Sequence, residues 1–275
     1  LIVSSVKHFC PSFFLLCILF SSCEDEPIPA YLNVPSISVN SRTNEGSSSS
    51  NISDVWVYQD FNLQGAYELP VEFPILAEGN TRLLVYAGIK LNGISTTRAI
   101  YPFYDADTLD VNFIPATVAT FYPSVSYSNN AEFDFIEGFE NANNFSNLQR
   151  ISGGDVFEGN FSGKLIADSV EVIASTNSTY DIPFNSTAVF LEMDYKNNHL
   201  FEVGILASVG TETYSFYKLT IPPKEEWNKL YINFTPEVNS IQADSYQIYF
   251  RMVPTMDAND IHLFFDNVKL IHAKV

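Results

Sequence analysis

Basic side chains are scarce in this 275-residue sequence: 14 Lys and Arg stand against 32 Asp and Glu, a formal net charge of −18. That deficit excludes sequence-independent nucleic-acid binding, which needs cations to displace counterions from phosphates, and a polybasic hold on anionic lipid. Cysteine is nearly absent. Cys10, Cys17 and Cys23 are the only three, so no disulfide framework can form beyond the amino-terminal segment. The apolar run Phe13 to Phe20 has eight residues, too short for a membrane-spanning helix, which takes roughly 20. No HExxH, GxSxG or phosphate-loop motif occurs, and beyond residue 22 the histidines are His199, His262 and His272, a poor supply of zinc ligands. Against these absences, 46% of the residues are hydrophobic and 15% aromatic. That much apolar side chain offsets the entropy of ordering, so the chain is globular and has the length of one large domain or two ordinary ones.

Lys7 and His8, the run Phe13–Phe20, and the small residues Ser21 and Ser22 ahead of Cys23 have the layout of a secretion signal. The layout resembles a bacterial lipoprotein signal, with Phe20 where Leu is usual. That resemblance implies that residues 1–22 are removed and that Cys23 becomes the lipidated first residue, since two or more acyl chains bind a bilayer stably. Glu24, Asp25 and Glu26 resemble the acidic export signal of surface lipoproteins of Bacteroidota-type bacteria. The implied address is the outer membrane, facing the cell exterior. Residues 23–30, stiffened by Pro27 and Pro29, then form a short tether.

From Tyr31 to Val39 the residues alternate as in a strand, and Ser41 to Ser50 has the composition of a flexible loop inside the first domain or of a linker. Short β-rich runs follow to about Phe121, broken by turn signals every 8–12 residues. Val55, Val57, Leu69, Val71, Phe73, Ile75, Leu83 and Val85 are expected in the core. The stretch 55–89 is similar to small Ig-like sandwiches of the PEGA kind, which places an Ig-like domain at 31–122. Residues 131–275 form a second domain. There Val189, Leu191, Met193 and Tyr195 alternate with polar residues, Asn197-Asn198 turns the chain, and strands are expected at 201–207, 212–221, 227–234, 245–253 and 260–271. A one-residue phase shift in the last strand predicts a β-bulge at Asp266-Asn267. Eight or so such strands suggest a jelly-roll sandwich. Phe139-Glu140, Gly159–Gly163, Trp227–Ile232 and Phe265–Val268 resemble carbohydrate-binding-module jelly rolls. The fold class expected is therefore all-β, an Ig-like sandwich followed by a jelly roll.

Glu192 and Asp194 share one strand face, as do the paired carboxylates of some retaining glycosidases. Lys196, Asn197 and Asn198 stand where a further Glu would be needed, so they read as an outer face and no catalytic residue is expected. Tyr231, Tyr249 and Arg251 also fall on outward parities and could form a ligand patch with Glu192 and Asp194. Trp227 reads as a seal on the sandwich edge. The resemblance further implies a structural calcium ion at Glu140 and Asp266, near the first and last strands of the second domain. The expectation is a non-catalytic lipoprotein, an accessory or scaffold subunit docked on an outer-membrane β-barrel complex for assembly, export or uptake. The alternative is a cell-surface glycan-binding lipoprotein.

Overall fold

The computed structural model describes residues 27–168, 170–255 and 260–274. The expectations for Cys23, Glu24, Asp25 and Glu26 concern residues outside that set. The chain is all-β, with two sandwiches in succession.

In the first, β1 (Ala30–Val34), β5 (Val71–Ile75) and β9 (Val118–Thr120) make one sheet. The other sheet contains β3 (Asp54–Gln59), β4 (Asn62–Glu68), β6 (Gly79–Lys90), β7 (Arg98–Ile100) and β8 (Asp107–Phe113). Val55, Val57, Phe73, Ile75, Leu83 and Val85 are buried between the sheets, while Leu69 and Val71 are only half-buried at the margin. The strand expected over 31–39 is broken into β1 and β2 (Ser38–Asn40) at Pro35, whose missing N–H interrupts a ladder. β2 pairs with β10 (Ser124–Ser126), so the first sandwich reaches slightly past residue 122.

The second sandwich starts at β11 (Ala131–Glu137). Its inner sheet contains β12 (Gln149–Ile151), β13 (Ser162–Ala167), β15 (Val189–Asn197), β18 (Lys224–Asn233) and the long β20 (Ile261–Ala273), which pairs with β11, β13 and β15. Its outer sheet has the order β14 (Val172–Ser175), β19 (Ser245–Met252), β16 (Phe201–Val209), β17 (Glu212–Ile221). Phe139, Phe145, Phe201, Phe250 and Phe265 interlock between these sheets. The β20 bulge lies where it was expected. Asp194 pairs with Asp266 and Glu192 with Lys269, two residues against one, and Asn267 takes a φ of 48°. The bulge lets both Phe265 and Val268 face the core.

The sandwiches share a core. Tyr101, Phe103, Tyr104 and Tyr127 from the end of the first pack on Phe190, Tyr231 and Ile271 of the second. Leu91 forms a bridge to Tyr231, the Asn92 N–H donates to the Tyr231 carbonyl at 2.9 Å, and Asn92 Oδ1 accepts from Asn233 N–H. The serine-rich stretch 41–50 is neither linker nor free loop. It lies across β15 and β20 as a strap, with Ser49 Oγ donating to Asp194 and Lys269 Nζ donating to the Ser47 carbonyl. Its small hydroxyls supply the partners that buried charges require.

Candidate functional site

Alternation places Glu192, Asp194, Lys229, Tyr231 and Lys269 on the inner sheet, pointing away from the second sandwich's own core. The first sandwich covers that face, and Glu192 and Asp194 are 0% and 1% exposed. Glu192 accepts hydrogen bonds from the Tyr101 hydroxyl at 2.7 Å and the Tyr127 hydroxyl at 2.8 Å. Lys229 Nζ lies 3.3 Å from Glu192 and 3.7 Å from Asp194. Asn267 Nδ2 donates to Asp194, and the Tyr231 hydroxyl accepts from Asn51 N–H. Burial works against the Glu192 charge, yet Lys229, Lys269 and the two tyrosine hydroxyls outweigh it and hold this carboxyl below the usual range. Burial raises Asp194 despite Lys229. The cluster is a closed ionic joint between the sandwiches, and a polymer cannot reach it.

Burial also lowers Lys269 to about 8, with Glu192 opposing the shift. Free Lys titrates near 10.4, so between pH 8 and 10 the unfolded chain holds more protons than the native one. Stability contributed by this group must therefore rise with pH across that window, by at most about 1.4 kcal/mol per unit. We expect the wild-type minus Lys269→Met stability difference to grow from pH 8 to pH 10 in urea titrations. A flat difference would contradict the burial of a protonated amine.

The patch expected from Tyr231, Tyr249, Arg251, Glu192 and Asp194 is thus divided. Outward parity on β15 and β18 means the face against the first sandwich. On β19 it means the free face of the opposite sheet. Tyr249 and Arg251 stand there with residues that sequence reasoning missed: Glu171, Glu202, Gly204, Ser215 and Tyr217. In register, Gly204 of β16 lies between Tyr217 of β17 and Tyr249 of β19, and Glu202 lies opposite Arg251. The Tyr249 ring lies across Gly204, where a Cβ would overlap it, and its hydroxyl accepts from Ser215 Oγ at 3.2 Å. Tyr249 is buried as a floor, whereas Tyr217 is 54% exposed as a wall. The Arg251 guanidinium donates from Nε to Glu202 at 2.8 Å and from Nη1 to Glu171 at 3.2 Å, which fixes its plane. These groups, with Ile173 and Leu206, line a groove of about 470 Å³. The sequence signals were the positions of Glu202, Gly204 and Leu206 opposite the core parity of β16 and the spacing of Ser215 and Tyr217. A register shift between Val203 and Gly204 changes which β17 residues face out, and alternation alone cannot reveal it.

Glu140 and Asp266, the residues expected at a calcium site, each accept several hydrogen bonds. Glu140 accepts from the backbone N–H groups of Asn160 and Phe161 and from Asn160 Nδ2, and those donors lower its pKa. The Arg150 guanidinium donates to the Phe139 and Glu140 carbonyls and stacks on Phe161 at 3.4 Å. Asp266 accepts from Ser162 Oγ, Asn267 N–H and Glu158 N–H, and burial raises it to about 6. Most of the donors around these two acids are backbone N–H groups of the neighbouring turns. Among the described residues no group of three or more His, Cys, Asp or Glu could hold a metal ion. Trp227 is half-buried against Phe157, with ring centroids 5.1 Å apart, at the sheet edge.

No protein-family model matches the chain, and no curated protein does. Among solved structures it is similar to carbohydrate-binding modules. The family 22 module of Clostridium thermocellum Xyn10B is 14% identical, covering 53% of this chain and 97% of that one, with a TM-score of 0.38. A family 30 module of a C. thermocellum cellulosomal cellulase is 12% identical over 51% and 96%, with a TM-score of 0.38. The C. thermocellum family 11 module, in complex with a β-1,3-1,4-mixed-linked tetrasaccharide, is 15% identical over 52% and 96%, with a TM-score of 0.36.

Proposed function

We propose that this chain is a non-catalytic, lipid-anchored surface protein that binds polysaccharide on the open face of its β14-β19-β16-β17 sheet. The observation that carries this reading is the groove. Tyr217 offers a ring face to the C–H face of a sugar, over a floor of Tyr249 and Gly204. The held Arg251 and the carboxylates of Glu171 and Glu202 offer donors and acceptors to hydroxyls on one side of it. A few fixed polar groups around an apolar strip is the usual composition of a small-molecule site. The closed joint leaves the opposite face unavailable, so the open sheet is the face of the second sandwich that a long chain can cross.

The rigid joint also gives the first sandwich a role. It would act as a spacer roughly 40 Å long, the reach of a 12-residue strand such as β6, lifting the groove away from a bilayer anchored at Cys23. Affinity electrophoresis in gels containing xylan or mixed-linked β-glucan tests the reading. The wild-type protein should be retarded in at least one gel, and Tyr217→Ala should weaken binding about tenfold, equivalent to about 1.4 kcal/mol. Absence of retardation, with stoichiometric recovery of a β-barrel protein from mild detergent, would favour the accessory-subunit reading instead.

A further inference from the structure

The first sandwich has two unlike ends. One carries Tyr101, Tyr104 and the 91–97 turn into the joint with the second sandwich. At the other end lie the entry to β1, the β3–β4 turn, the β5–β6 turn and the β8–β9 turn. Pairing fixes this arrangement. Ala30 lies opposite Ile75, Gly79 opposite Phe113 and Gln59 opposite Leu83, and the Ala116 N–H donates to the Pro29 carbonyl. Ile28, Phe61, Leu63, Leu76, Ile114 and Val118 sit at this end, and all six are exposed. Phe61 is the extreme case. It occupies the tip of the β3–β4 turn with Asp60 and Phe61 at φ of 47° and 64°, and its side chain is 91% exposed. Tight turns of this conformation ordinarily take Asn or Gly, and a bulky residue at positive φ is strained. A strained aromatic held out in water at a turn tip does nothing for the fold.

We propose that this end of the first sandwich is a membrane-seating surface, with Phe61, Leu76, Ile114 and Val118 entering the interfacial region of the bilayer. The chain between Cys23 and Ile28 can span at most about 18 Å, so an anchored Cys23 confines this end to the lipid surface. Charge points the same way. Asp60 and Glu78 lie in the same turns as Phe61 and Leu76, and Arg82 is paired to Asp110 across β6 and β8. Seating is therefore apolar and suits zwitterionic lipid, where an anionic surface would repel it.

This inference rests on the acylation proposed above. Because the other cysteines leave with the signal, Phe61→Cys would give the mature acylated protein a single free thiol for an environment-sensitive fluorophore. Tyr214→Cys, on the exposed outer sheet, would be the control. In phosphatidylcholine vesicles the label at 61 should shift to the blue and be quenched by lipid-borne nitroxides, and the label at 214 should not. A floating, acylated protein whose residue 61 stays in water overturns the seating while leaving the anchor intact. Residue 61 in water on vesicles but shielded in isolated outer membranes would assign this end to a protein partner, against the proposal. An unmodified Cys23 in the mass spectrum would remove the anchor reading, and the seating with it.

Discussion

Glu192→Ala is expected to lower the stability of the chain by about 3–5 kcal/mol, the usual consequence of removing one partner from a buried ionic set. Four groups lose a partner. Lys229 and Lys269 would lose the carboxylate at the centre of a dry joint, and the Tyr101 and Tyr127 hydroxyls would lose their acceptor. Each orphaned group carries its own desolvation cost. Because the same joint is sealed by Tyr101, Tyr127, Phe190 and Tyr231, wild-type urea unfolding should be a single transition. The variant should unfold in two, the sandwiches separating first. Glu192→Leu combined with Lys229→Met should recover only part of the loss, since it removes one orphaned charge while Lys269 and the Tyr101 and Tyr127 hydroxyls stay without the carboxylate. A change below about 1 kcal/mol in Glu192→Ala would mean that water reaches the cluster and that the two sandwiches are not locked.

Gly204→Val should abolish polysaccharide binding, with a loss of affinity exceeding tenfold, and cost about 1–3 kcal/mol in stability through overpacking. The reason is local. Tyr249 crosses its own strand partner, and the space it uses is the missing side chain of Gly204. Any Cβ there drives the ring outward, breaks its hydrogen bond to Ser215 and fills the strip between Tyr217 and Arg251. The mutation leaves Tyr217, Arg251, Glu202 and Glu171 in place. Full binding by Gly204→Val would therefore show that the groove is not where sugar sits, even if the protein binds polysaccharide elsewhere.

Strand alternation and turn residues made the all-β architecture legible, because a strand's two faces can be read from period two alone. The bulge at Asp266-Asn267 was legible for the same reason, as a break in phase between Phe265 and Val268. Two kinds of error share one cause. Outward parity was taken as exposure for Glu192, Asp194 and Tyr231, and serine-rich composition as freedom for residues 41–50. In each instance the surrounding chain supplied a cover. The register shift on β17 hid which of its residues share a face with Gly204, because pairing with β16 is settled by packing across the sheet.

The sequence by itself determined the strands, most of their core faces and an acidic composition, since these follow from side-chain chemistry and short-range order. Tertiary structure decided which face of the second sandwich is sealed and which is open. Two polar faces of one sandwich look alike in sequence. They differ only because tyrosines roughly 65 to 90 residues away from Glu192 fold back onto one of them, and such long-range burial leaves no local pattern.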